Sequence, residues 1–108
     1  MDSYVLVGSR DPDSLDSRRC YELAGMLAES GADVTVFLLQ NGVLAARRTS
    51  AGAAALSSLA RRTAVVADDF ALRQRAIATA ELADGVTGGD IDDLIDAVMA
   101  DGCKVLWF

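Results

Sequence analysis

The chain of 108 residues contains no histidine. A Ser-His-Asp triad and a histidine-ligated metal site are therefore impossible to build from it alone. Proline occurs once, at Pro12, and cysteine twice, at Cys20 and Cys103. No export signal is read at the start, where Asp2 leads into a short apolar run that stops at Gly8. Two cysteines without such a signal are expected as free thiols in a reducing cytoplasm. Positive charge is scarce: 10 Lys and Arg stand against 16 Asp and Glu, a net charge of −6. Such a balance repels phosphates, so no nucleic-acid partner is expected. The arginine pairs Arg18–Arg19, Arg47–Arg48 and Arg61–Arg62 read as solvated helix faces. No apolar run approaches the roughly 20 residues that span a bilayer, so no membrane partner is expected either.

What is abundant is apolar residue, 52% of the chain. Residues 1–108 are the size of a single domain, and a domain this small hides only a modest core. The excess points to self-association. The faces expected to carry it are the Val43–Leu59 region and the surface near Trp107.

Short apolar runs alternate with amphipathic stretches. Strands are expected at Tyr4–Val7, Val34–Leu39, Ala64–Ala67 and Lys104–Phe108, with a further short one at Val86–Thr87. The first helix is capped by Asp13 or Ser14, has Asp16 in its first turn, and turns Leu15, Cys20, Leu23, Ala24 and Leu27 inward; Gly31 ends it. A short helix is expected at Val43–Arg48. A second long helix is expected from Thr49 or Ser50 to Arg62, with Arg61 and Arg62 in its last turn. A third runs from Asp68 to Leu82 with a break near Thr79, and the last turns Ile91, Leu94, Ile95 and Val98 inward. The alternation predicts an α/β fold, a three-layer sandwich around a mostly parallel sheet of 4–5 strands.

In such a sheet ligands bind at the carboxyl ends of the strands. Asp68 and Asp69 stand there, at the junction of the third strand and its helix. One of them serves as an N-cap on the structural reading; on the functional reading they bind a cation or polar ligand together with Ser9. Adjacent carboxylates in a first helical turn diverge and do not form an acid/base pair unaided, so no catalytic residue is assigned. The turn after the first strand, "VLVGSRDPDS", is neither a dinucleotide fingerprint nor a P-loop, and no cofactor is expected. Cys20 lies on an apolar stripe and reads as core. Cys103 opens the last strand, at the opposite edge of the sheet from Asp68, with Lys104 beside it.

The stretch "CYELAGMLAESGADVTVFLLQNGV", Cys20 to Val43, resembles the opening of the DsrE/DsrF/DsrH superfamily, the small sulfur-relay proteins that include the TusBCD components. The family pattern "GHEVxVFxxxxGV" is matched by Gly31-Ala32-Asp33-Val34-Thr35-Val36-Phe37 and by Asn41-Gly42-Val43. The resemblance continues through "VVADDFALRQRAI" and "GVTGGDIDDLIDAV" to "KVLWF", which is similar to the tryptophan-containing tail of the DsrH/TusB branch.

The resemblance implies trimeric or hexameric rings, or pairing with a family paralogue. In the DsrE/TusD branch a cysteine after the third strand carries persulfide sulfur. Counting back from the family's Arg-Gly pair, matched by Arg75-Ala76, that position falls on Asp68. The DsrH/TusB branch has an aspartate near the same place, which Asp69 matches better. The family's glycine is Ala76 here and its histidine is Ala32. A carboxylate cannot accept sulfane sulfur, because the chemistry needs a thiolate. The resemblance therefore implies a sulfur-relay relative without the carrier residue, a non-catalytic subunit. Arg75 joins Ser9, Asp68 and Asp69 as a candidate ligand-binding residue. The alternatives are a small-ligand or metal-binding domain built on Asp68 and Asp69, and a thiol enzyme using Cys20 or Cys103.

Overall fold

A computed structural model describes residues 2–108. Five parallel strands form one sheet in the order β4-β3-β2-β1-β5. They are β1 (Ser3–Gly8), β2 (Asp33–Leu38), β3 (Ala64–Asp68), β4 (Val86–Gly89) and β5 (Cys103–Trp107). Four match the apolar runs to within two residues at each end. The fifth, β4, is the short one; it reaches Gly89 because it continues pairing with Ala67 and Asp68.

Alternation along the strands separates two cores. Leu6, Val36, Leu38, Val65 and Ala67 point to one face of the sheet, where they meet α1 (Leu15–Glu29), α2 (Ala53–Leu59) and α3 (Asp69–Gln74). Val5, Val7 and Phe37 point to the other face, where they meet Leu94 of α4 (Ile91–Met99). The molecule is thus a three-layer sandwich with three helices on one side and one on the other.

The first helix follows its sequence signals closely. Ser14 Oγ accepts from the amide of Ser17, Asp16 lies in the first turn, and Gly31 follows the C-cap with φ at 93°. Cys20 and Ala24 are buried, but Leu15 is exposed because it stands in the first turn, beyond the cover of the sheet.

Three expectations about helix bounds need correction. The expected second long helix is only seven residues, and Gly52 begins it. Ser50 Oγ instead binds Ala45 O at 2.8 Å and holds a turn, while Arg61 and Arg62 lie past the helix end. The residues before it form a 3₁₀ segment, Gln40–Ala46. The expected third helix breaks at Arg75–Ala76, where Ala76 takes φ 54°, and resumes only as a 3₁₀ turn at Thr79–Glu81.

The last helix turns only Leu94 fully inward; Ile91, Ile95 and Val98 are exposed. Its apolar arc is wider than the strip of sheet it covers. The Val43–Leu59 region is mixed as a surface, with Leu44, Ala54 and Ala55 exposed. Val43, Leu56 and Leu59 are buried in the protein's own core, whereas Trp107 is 64% exposed.

Candidate functional site

The connections decide where a cleft opens. β3 leads into α3 on one face of the sheet, and β4 leads into α4 on the other. Where two neighbouring strands send their chains to opposite faces, their carboxyl ends part and leave a crevice. Here the crevice is about 550 Å³ and is lined by Asp68, Asp69, Phe70, Arg73, Asp90 and Ile91.

Two of its carboxylates serve the local backbone. Asp68 is 8% exposed, and its Oδ2 accepts from the amide of Ala71 at 3.0 Å, which caps α3. Asp90 Oδ1 accepts from the amides of Asp92 and Asp93 at 2.9 and 3.2 Å. Asp93 Oδ2 returns the contact to the amide of Asp90 at 3.0 Å, so α4 begins with a reciprocal cap. Asp69 lies beside β4. A Cβ at position 88 would stand 2.5 Å from its Oδ1, so the absence of a side chain at Gly88 makes room for that carboxylate.

The other expected residues lie apart from this crevice. Ser9 follows β1, two strands away, and lines a separate polar cleft of about 430 Å³ with Arg10, Asp11, Gln40 and Asn41. Its Oγ donates to Phe108 O at 2.9 Å. Arg75 grips Asn41 and the carbonyl of Ala71 rather than facing Asp68 and Asp69. Phe70, Arg73, Asp90 and Ile91 were not singled out from sequence as site residues. Asp90 was visible only as a polar residue before an apolar-periodic run, and the lining emerges only once β3 and β4 are paired.

Neither thiol reaches the crevice. Cys20 is fully buried on α1, and burial pushes its thiol from an ordinary 9.0 up to about 12. Cys103 pairs with Ser3 at the start of β5, whereas Asp68 ends β3 and pairs with Gly89. The cysteine therefore sits at the opposite edge of the parallel sheet. Both cysteines are free. Among the described residues no group of three or more Cys, Asp or Glu side chains is arranged to hold a metal ion. No helix among them is long and apolar enough to cross a membrane.

The crevice can accept a small polar or cationic group beside an apolar wall of Phe70 and Ile91. It holds no nucleophile of the thiol type.

Comparison with known proteins gives three findings. The model of the DsrE/DsrF-like family matches residues 2–108. The crystal structure of the ychN protein from E. coli superposes with a TM-score of 0.87 at 28% identity, covering 100% of both chains. A protein of unknown function from Methanobacterium thermoautotrophicum, MTH1491, shares the fold with a TM-score of 0.77 at 17% identity, over 99% of this chain and 100% of its own. A search of curated proteins finds no match.

Proposed function

Since the chain belongs to the DsrE/DsrF-like family, we propose that it is a sulfur-relay-related subunit that has lost the sulfur-carrying role and acts within an assembly. Its partners are copies of itself, as a trimer or dimer, or a family paralogue that supplies the thiol. The observation that supports this reading is the chemistry at the end of β3. Asp68 stands there with its carboxylate engaged in capping α3, and a carboxylate cannot form a persulfide. The buried Cys20 and the distant Cys103 do not substitute for a thiol at that place. Free thiols fit a reducing compartment, and the reading places the protein in the cytoplasm.

Incubation with inorganic polysulfide, followed by intact-protein mass spectrometry, tests it. No rapid gain of sulfur is expected. A fast stoichiometric gain that disappears in Cys20→Ser or Cys103→Ser would promote the thiol-enzyme alternative instead.

A second reading, a small-ligand site, has the β3–β4 crevice in its favour. A thermal-shift screen with cations and nucleotides tests it; a saturable rise in Tm that Asp69→Asn removes is the expected signature.

A further inference from the structure

The two helical layers are unequal. One face of the sheet carries three helices; the other carries α4 alone, nine residues long. Ile91, Ile95, Val98 and Met99 continue the apolar arc of α4 past Leu94 and remain exposed, Met99 by 77%. Strand β5 extends the same surface. Val105 pairs with Val5 and Trp107 with Val7, and Val5 and Val7 pack with Leu94. Val105 and Trp107 therefore stand on the α4 side of the sheet, and both are exposed. β5 is also an edge strand with no proline in it, a ready surface for another chain.

Charge selects among the occupants. From Ala76 to Cys103 the sequence contains seven carboxylates and no lysine or arginine. At about 100° per residue, Asp92 and Asp96 follow Met99 around the helix, so they border the apolar stripe, and both are exposed. Asp101 follows in the turn before β5 and is exposed too. A second copy presenting this same face would bring these acids against their own kind. Anionic lipid headgroups and nucleic acids meet the same repulsion. A different protein with basic residues around an apolar centre meets attraction at the rim and buries Trp107, Ile95 and Met99 at the middle.

We propose that the α4–β5 face is the docking surface for a different protein subunit, one that presents an apolar centre rimmed by lysine or arginine. This rests on the subunit reading above and gives its partner a chemistry. The acidic rim selects the partner and speeds encounter, while the apolar stripe and Trp107 supply the affinity.

Trp107 is the single tryptophan, so its emission reports on the face directly. The probes are two synthetic amphipathic helical peptides that share a leucine stripe, one with a lysine polar face and one with a glutamate polar face. The lysine peptide is expected to shift the emission to the blue and to saturate. Its midpoint should rise about tenfold between roughly 50 and 500 mM salt. The glutamate peptide should produce no shift. Ile95→Asp, and separately Asp92→Asn with Asp96→Asn, should each weaken binding by about tenfold. Met26→Asp, at an exposed apolar site on α1 in the other layer, should leave it unchanged.

Silence of the lysine peptide, equal binding of both peptides, or an equal loss in Met26→Asp would overturn the proposal. So would an emission that is already blue, moves red on dilution, and accompanies a dimer in sedimentation equilibrium, since the occupant would then be a second copy. Each of these outcomes is distinguishable from failure of the subunit reading, because polysulfide uptake depends on thiols and not on α4.

Discussion

The guanidinium of Arg75 donates twice to the side-chain carbonyl of Asn41, from Nη2 at 2.8 Å and from Nε at 3.3 Å. Its remaining nitrogen, Nη1, donates to Ala71 O at 3.1 Å. One side chain thus ties the 3₁₀ segment after β2 to the end of α3. Arg75→Ala should lower stability by about 1–2 kcal/mol, read as a lower urea midpoint. Arg75→Lys should recover little, because one ammonium cannot reproduce the planar fork.

The neighbouring backbone is strained. Ala76 sits at φ 54°, a conformation that glycine adopts freely and alanine does not. Ala76→Gly should raise stability by about 1 kcal/mol. A urea midpoint at or below that of the parent protein would contradict this account.

Capping by Asp68 makes a graded prediction. Asp68→Ala removes the acceptor for the Ala71 amide and should destabilise by about 1 kcal/mol, whereas Asp68→Asn should come close to the parent. Asp68→Cys places a thiol at a helix N-terminus, a setting that favours the thiolate. Its alkylation by iodoacetamide should outpace that of Cys20, and its sulfur uptake from polysulfide should follow the same order.

Alkali should loosen the fold through α1. Burial raises the Cys20 thiol to about 12. Burial also raises Tyr21 from 10.0 to about 12, with the Cys20 charge adding to the effect. Both groups are neutral when protonated. Above their ordinary values the unfolded chain releases these protons and the folded chain keeps them, so the unfolded state is favoured as pH rises. Stability should be full below about pH 8.5 and fall progressively toward pH 12. Urea midpoints across that range check it, and Cys20→Ala should flatten the early part of the fall. In the native protein Cys20 should resist alkylation at pH 8, and Cys103, only partly exposed, should react slowly.

Much of the fold was legible in the sequence. Parallel strands buried on both faces appear as unbroken apolar runs, and Ser14 and Gly31 mark the ends of α1 by local chemistry that needs no distant partner. Most of the failures are non-local. The contact between Arg75 and Asn41 joins residues 34 apart in the chain, so nothing near Arg75 announces that it is a clasp. The break at Ala76 is disguised because alanine is a good helix former. Periodicity in α4 shows an apolar arc, but cannot tell which part of it faces the protein's own sheet. For the site, Asp68 and Asp69 were visible as carboxylates at a strand end. Arg73 and Ile91 joined them only through the divergence of α3 and α4, which is a property of topology.

The return of β5 to the side of β1 also has a consequence for how the molecule assembles. From β1 to β4 each strand lies beside its predecessor, so that part of the sheet grows outward in chain order. The last strand reverses this by pairing Cys103 with Ser3, a closure across roughly 100 residues that is slow compared with the local steps. Until it happens, β1 is an open apolar edge, with Val5 and Val7 ready to pair with any other chain. β5 therefore works as a latch. Folding intermediates that lack it should be the aggregation-prone ones, and a chain cut before Cys103 should be lost to aggregation rather than persist as a smaller domain.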